Sequence, residues 1–411
     1  MNILLLTDRF IPEITAPSFR QMDHARCWCD AGHEVTVVTC APNFPRGRLF
    51  QGYRNSLYQE EWIENVRVIR VWTYMTSNSG FAKRILDQAS FLASSVLESW
   101  RFPKFDVILA SSPPLFVAMA GYMIALMWRR PWIFELRDLW PASIEAVGMG
   151  AKTPMKMLEK VELFLYRNAD RIISLTDAFK ENLIQRGITR DKIDVVTNGV
   201  DSAVFDPVKA RDDIRKILGI PGEAFLVGYF GTTGMAHGLE TLLEAAQRCE
   251  DNTGINFLIM GEGSERKGLE VKSQLLGLTN VIFQDFVPHE EIPDYYEALD
   301  LFIVHLKPHP VFKTVIPSKI FEAMAMGTPI LCAVEGEGAK IVSEAGAGVC
   351  ISPGDSVIMA NAILDLIDRP EELKLMGKRG RQSAVEQFSR RLRALDALKS
   401  ISRSVNGCCT N

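Results

Sequence analysis

PSKIFEAMAMGTPI, residues 317–330, is the stretch that decides how this chain is read. Pro317 halts what precedes it, and Ser318 offers a hydroxyl able to cap the orphan amides of a helix start. Lys319 and Glu322 are three apart and Ser318 and Glu322 four apart, so a helix puts all three on one face of its first turn. Ile320, Phe321 and Met324 can pack behind them. Gly327 ends the helix, and Thr328-Pro329 leads into the apolar run 330–334, a strand. A cation, a hydroxyl, a carboxylate and the positive end of a helix dipole thus share one place. That suits a ligand carrying a phosphate anion and a sugar diol: the carboxylate accepts two hydroxyl bonds while Lys319 and the dipole face the anion. The competing reading is a capped amphipathic helix with a solvated ion pair.

Outward from this stretch the chain alternates strands and helices. Residues 2–7 are continuously apolar, as a buried parallel strand should be, and 34–40 (EVTVVTC) form the next strand. Between them Ser18 is expected to cap a helix that runs to Cys29 and stops at Gly32. Arg20, in its first turn, faces a ligand anion or is solvated. The stretch 41–65 reads as an irregular polar loop. Further strands are expected at 66–72, 106–110 and 131–135, with helices at 81–100 and 115–128. The last of these strands runs into RDLWP, 137–141, so Arg137 and Asp138 stand just past a strand's carboxyl end, where chemistry sits in open α/β sheets. TNGVDSAVFDP, 197–207, is rich in turn formers and marks a domain boundary. The alternation then restarts. GTTGMAHG, 231–238, follows one strand and GEGS, 261–264, the next. Gly231, Gly234, Gly238, Gly261 and Gly263 at such turns let the backbone approach a phosphate and donate amides. Residues 371–399 read as mostly helical.

The 411 residues allow two domains, and 47% hydrophobic content supplies cores for both. The net charge of −4 gives no ground for nucleic-acid binding. The eight cysteines lack metal or redox spacing and fit a reducing cytoplasm. The start, MNILLLTDRF, is too quickly charged for a signal peptide. The longest apolar run, 113–128, is shorter than the roughly 20 residues of a spanning helix. With Arg129-Arg130 behind it, it reads as a buried helix or an interfacial segment. His237, His289, His305 and His309 share no ligand spacing, and His305 reads as a packed histidine. No metal or other cofactor is expected. Walker and Gly-x-Ser-x-Gly patterns are absent, which disfavours an NTPase or a serine hydrolase.

These motifs together resemble a retaining glycosyltransferase of family 4, over nearly the whole chain. The resemblance rests on the Arg20 loop, GHEVTVVT at 32–39, NGVD at 198–201, GEG at 261–263, FVPHEEIPDYYEALDLFI at 286–303 and PSKIFEAMAMGTPI. RDLWP and PSKIFEAM are similar to a narrower subgroup that includes the N-acetyl-L-fucosamine transferases of bacterial O-antigen and capsule synthesis. The resemblance implies an α/β GT-B fold, two facing Rossmann-like domains with parallel sheets and a cleft between them. It also implies an N-terminal acceptor domain (1–197), a linker (198–210), a C-terminal nucleotide-sugar domain (211–385) and a terminal helix and tail (386–411) packing back on the first domain.

In that family two glutamates eight positions apart mark the donor site. The second, which binds the ribose diol, matches Glu322; the first falls at Thr314. The family's Arg and Lys in the glycine turn fall at Thr232 and His237. Lys313 and Lys319 are the candidates to replace those cations. The implied donor site is Gly231, Thr232, Gly234, His237, Gly261, Gly263, Lys313, Thr314, Ser318, Lys319 and Glu322. The acceptor side is Ser18, Arg20, Arg137 and Asp138, with Asp138, Lys319 and Glu322 closest to the chemistry. The expected partners are a UDP-sugar, a polyprenyl-diphosphate-linked saccharide and the inner face of the cell membrane. A nucleotide-sugar 2-epimerase and a non-catalytic nucleotide-sugar scaffold are the alternatives.

Overall fold

A computed structural model describes the chain except for residues 45, 77–80, 140–151, 211–212, 253 and 409–411 and the side chains of 81, 152–156 and 407–408. The chain divides into two compact units, Met1–Thr197 with Arg390–Asn411, and Asn198–Ser389.

The first unit runs β1 (Asn2–Leu6), α1 (Ala16–Asp30), β2 (Glu34–Cys40), β3 (Tyr58–Ile63), β4 (Val66–Val71), α2 (Phe81–Glu98), β5 (Val107–Ser112), α3 (Leu115–Trp128), β6 (Trp132–Leu136), α4 (Lys152–Asn168), β7 (Arg171–Ser174), α5 (Asp177–Gln185) and β8 (Ile193–Val195). Its eight strands lie in the order β3-β4-β2-β1-β5-β6-β7-β8. Every neighbouring pair is parallel except β3 with β4. The inner strands carry no alternation because both of their faces are buried.

Two expectations are corrected here. The loop 41–65 contains β3, an antiparallel edge strand that is half exposed. Its exposed positions are Glu60 and Trp62, and Glu60 and Glu61 pair with Arg67 and Arg70 on β4, so the usual alternation is hidden. Ser18 does not cap α1: Thr15 does, accepting from the Ser18 amide at 3.2 Å.

The second unit runs α6 (Ile214–Ile217), β9 (Phe225–Phe230), α7 (Glu240–Arg248), β10 (Ile255–Met260), α8 (Arg266–Leu275), β11 (Val281–Gln284), α9 (Ile292–Glu297), β12 (Leu301–His305), α10 (Lys319–Met326), β13 (Ile330–Ala333), α11 (Glu337–Ala345), β14 (Gly348–Cys350), α12 (Ser356–Ile367) and α13 (Pro370–Gln387). Its six strands lie in the order β11-β10-β9-β12-β13-β14, all parallel. Residues 198–210, expected as a linker, belong to this unit: Val200 and Phe205 are fully buried in its core. The helical stretch 371–399 is two helices, with a break where the Val200 amide bonds the Phe388 carbonyl. The second, α14 (Arg390–Cys408), belongs to the first unit. There Ala394, Ala397 and Ile401 complete the core around Trp28, whose indole donates to the Ala394 carbonyl at 2.8 Å.

At the carboxyl edge of β5 and β6 the first unit buries a carboxylate, Glu135. Its Oε1 takes the Arg20 Nε at 3.0 Å, and its Oε2 takes the Ser111 hydroxyl at 2.6 Å and the Gln21 amide. Arg20 spends its other donors on the carbonyls of Thr197 (3.0 Å) and Val196 (3.3 Å). Burial alone would raise the Glu135 carboxyl. Arg20 first, with His24, Arg137 and Ser111, outweighs that and holds it down to about 2. The stability this group contributes is therefore complete above its ordinary value of 4.5 and is lost as the pH falls towards about 2. Arg20→Ala leaves Glu135 buried without its counter-charge, which costs about 3–5 kcal/mol. Urea unfolding of the variant should show that loss at neutral pH; an unchanged midpoint would refute the pairing.

Candidate functional site

In the second unit the glycine turns follow β9 and β10, and Ser318, Lys319 and Glu322 stand at the start of α10. The two glycine turns lean on each other. The Gly231 amide donates to the Met260 carbonyl at 2.9 Å, Thr233 to Glu262 at 3.0 Å and Glu265 to Thr233 at 2.9 Å. Gly261 has φ +140°, and a Cβ there would sit 1.8 Å from the Gly231 carbonyl oxygen. On Gly263 it would sit 2.4 Å from the Thr233 carbonyl oxygen. Sequence reasoning gave these glycines to the ligand alone. Their first duty is to let two backbones touch, which keeps both turns at one edge. Thr233, passed over in the sequence, is fully buried between them, and its hydroxyl has no hydrogen-bond partner among the described residues.

Thr232 and His237 stand where the resemblance expects cations, and neither supplies a positive charge here. The Thr232 carbonyl accepts the Tyr229 hydroxyl at 2.8 Å. Burial, then His305, pulls the His237 imidazole below its ordinary value, so it is neutral near pH 7. The His237 carbonyl accepts the Nδ1–H of His305, whose Nε2 accepts from the Gly354 amide at 3.1 Å. That fixes one neutral tautomer of a buried ring, and His305 is the packed histidine its sequence position suggested.

α10 carries the other half of the site. Glu322 is buried at the first turn, and its Oε2 takes Lys319 Nζ at 2.8 Å and the Tyr296 hydroxyl at 3.4 Å. The solvated ion pair of the competing reading is thus a half-buried one, and Lys319 starts out engaged with Glu322. Both of these bonds fall on Oε2, leaving Oε1 with none among the described residues. Ser318 is the N-cap by position, but its φ −60° and ψ −24° are helical and its side chain makes no capping bond. The first turn closes through backbone bonds instead, Ile320 to Pro317 and Phe321 to Ser318, both 3.1 Å. Its hydroxyl therefore stays clear of the helix amides. Thr314 ends a 3₁₀ turn, Pro310–Thr314, with its hydroxyl on the Val311 carbonyl at 2.7 Å. Lys313 is an exposed cation paired with Glu335 at 3.0 Å. Its carbonyl crowds Gly336, which opens α11, an element with no clear sequence signal.

In the first unit, Ser18 and Arg20 are buried and bonded inward, Ser18 to the Thr15 hydroxyl at 2.6 Å. Arg20, expected to face a ligand anion or solvent, faces Glu135, and the two residues position α1 against the sheet edge. Arg137 lies past β6 with one Nη on the Pro113 carbonyl. Asp138 follows it, half buried; Trp140 and Pro141 of RDLWP lie outside the described residues. Among the described residues, no three His, Cys, Asp or Glu side chains gather as a metal ion would require.

Comparison with known proteins fits these two units. Residues 17–199 match the model of the Glycosyl transferase 4-like domain, and residues 210–383 that of Glycosyl transferases group 1. A glycosyl transferase provisionally assigned to colanic acid biosynthesis, WcaI of Escherichia coli strain K12, is 25% identical over 365 residues, 86% of this chain and 89% of that one. A D-inositol 3-phosphate glycosyltransferase of Corynebacterium efficiens is 26% identical over 368 residues, 86% of this chain and 82% of that one. Among solved structures, HepE of Anabaena in complex with UDP-glucose superposes with a TM-score of 0.73 at 20% identity, covering 98% of this chain and all of that one. Sucrose-phosphate synthase of Thermosynechococcus elongatus gives 0.79 at 19% identity, covering 99% of each chain. The chain is a glycosyltransferase of the GT-B type, of the group 1/4 family. These matches favour neither the epimerase nor the scaffold.

Gly261→Ala forces its methyl into the Gly231 carbonyl and should destabilise the second unit by about 1–3 kcal/mol. At Gly234 a Cβ meets the Thr232 methyl at 3.4 Å and His237 Cδ2 at 4.0 Å, both ordinary contacts, so Gly234→Ala should cost much less. Thermal melts of the two variants that shift equally would refute the turn-on-turn packing.

Proposed function

We propose that the chain moves a sugar from a UDP-sugar, a UDP-linked N-acetyl amino sugar in the reading favoured here, to a lipid-linked saccharide in bacterial surface polysaccharide synthesis, with retention of configuration. The observation that carries the donor half is Glu322: a buried carboxylate with one oxygen held by Lys319 and Tyr296 and the other open. A ribose diol supplies the missing donors. As the bond from the sugar's anomeric carbon to the diphosphate oxygen breaks, negative charge grows on the leaving group. The amino end of α10, Lys319 and the amides of the glycine turns are the groups that meet it, each well-placed donor worth roughly 3 kcal/mol. Lys313 is the second candidate cation. The first unit, with Arg137 and Asp138 past β6, takes the acceptor. HepE was solved with UDP and UDP-glucose, which supports uracil as the base. WcaI and the fucosamine-transferase resemblance support a surface polysaccharide as the product.

Calorimetric titration with UDP, GDP, ADP and CMP tests the donor half. UDP should bind selectively, and Glu322→Ala should weaken it at least tenfold, as expected for losing about 1.5–3 kcal/mol of charged hydrogen bonding. A variant that binds UDP like the parent sinks the assignment.

A second observation supports a membrane-linked acceptor. No helix among the described residues is long and apolar enough to cross a bilayer. Yet α2, the turn after it and α3 expose Leu86, Leu97, Trp100, Leu126, Met127 and Trp128, with exposed Lys83, Lys104, Arg129 and Arg130 nearby. An apolar face edged by basic residues lies in an anionic interface, at about 1 kcal/mol per cation near the surface. Vesicles containing phosphatidylglycerol should retain the protein at low salt and lose most of it in Leu97→Ser/Trp100→Ser. Equal retention of parent and variant, or none of either, would remove this reading.

A further inference from the structure

The first unit contains a cavity of about 170 Å³ past the carboxyl ends of β1, β2 and β4, walled by α2 and the start of α3. That is small beside the ~300 Å³ and upwards of sites for drug-sized ligands, and suits a single sugar ring. Its lining contains polar groups that the protein leaves unsatisfied. Asp8 Oδ1 and Thr73 Oγ1 are buried with no hydrogen-bond partner among the described residues. The half-buried carboxylate of Asp87, on α2, also accepts no hydrogen bond among them. Unmade bonds at buried polar atoms are costly unless a ligand or water completes them.

The charges around the cavity narrow the ligand. Arg9 is already neutralised: Asp8 lies 3.4 Å from it, Glu13 3.5 Å, and its guanidinium sits 4.4 Å over the Phe44 ring. Glu13 in turn accepts the amides of Asn43 and Phe44, both at 2.8 Å, and so holds the wall after β2. Among the lining residues two carboxylates, Asp8 and Asp87, face two guanidiniums, Arg9 and Arg84, a balance that favours a neutral guest. The buried Phe91 offers an apolar surface for the C–H face of a ring.

We infer that this cavity seats one neutral, hydroxyl-rich sugar residue of the acceptor, its hydroxyls donating to the carboxylates of Asp8 and Asp87. The inference rests on the reading that the first unit takes the acceptor. Burial, against the pull of Arg9 and with the repulsion of Asp8 and Glu13, pushes the Asp87 carboxyl up to about 6. Hydroxyls donate to the ionised form, so affinity falls as the pH drops through that value.

The test uses saturation-transfer NMR on the full chain with methyl glycosides of glucose, galactose, fucose and N-acetylglucosamine, and methyl glucuronide as the anionic control. At pH above about 6 at least one neutral glycoside should bind and the glucuronide should not. Asp87→Asn, and separately Thr73→Val, should weaken that binding roughly tenfold, the effect of about 1.4 kcal/mol, with unchanged melting temperatures. If Asp87→Asn fails to fold, Thr73→Val carries the comparison. Absence of binding by every neutral glycoside, a cavity that takes only water, or binding indifferent to both substitutions overturns the proposal. UDP titrated into the same samples reads the donor site separately: lost UDP binding counts against the donor assignment and leaves the glycoside result standing.

Discussion

A carboxylate removed from water must find donors, and the first unit is built around one that has found all of them. Glu135 joins α1 to β5 and β6 through Arg20, Gln21 and Ser111, and Arg20 carries the tie on to the end of β8. Such a pair contributes little relative to an apolar core but is costly to break from one side. Its value is geometric. It holds the first turn of α1, and so the loop after β1, at the edge of the sheet.

The same requirement recurs elsewhere. Glu13 is satisfied by two backbone amides and holds a loop. Glu322 is satisfied on one oxygen only. Asp8 keeps a buried oxygen without a partner among the described residues. Bonding on one oxygen is thus shared by Glu13, whose Oε1 holds a loop, and Glu322, which we propose for a ribose diol.

The cations near the proposed donor site already have partners. Thr232 and His237 are neutral, Lys319 begins bound to Glu322, and Lys313 begins bound to Glu335. Beside them stand Lys307, packed against Gly238, and Arg266, bonded to the Gly261 carbonyl at 2.9 Å, together with two glycine turns pressed together and the start of α10. Fixed dipoles need no reorganisation when charge develops, so such a site depends on how rigidly its turns are held. The Gly261–Gly231 contact and the tautomer-locked His305 supply that rigidity. In the first unit α2 has a related double use. Its inner face walls the cavity with Asp87 and Phe91, while Leu86 and Leu97 are left exposed on its outer one.

By itself the sequence determined the order of strands and helices, because apolar runs and 3.6-residue spacing are local properties. It marked a domain boundary within 197–207 and put Lys319 and Glu322 on one turn of a helix. It also carried the motifs that match a glycosyltransferase. Only the tertiary structure decided what those residues touch. That Arg20 faces Glu135, 115 positions away, leaves no trace in local spacing, and neither does a glycine whose role is to meet another glycine's carbonyl. β3 was hidden because an edge strand solvated on one side carries charge where a central strand carries valine. The cavity was hidden for the same reason as the Arg20 pair: Asp8, Thr73 and Asp87 lie on three separate elements, and only their packing brings unsatisfied polar groups together.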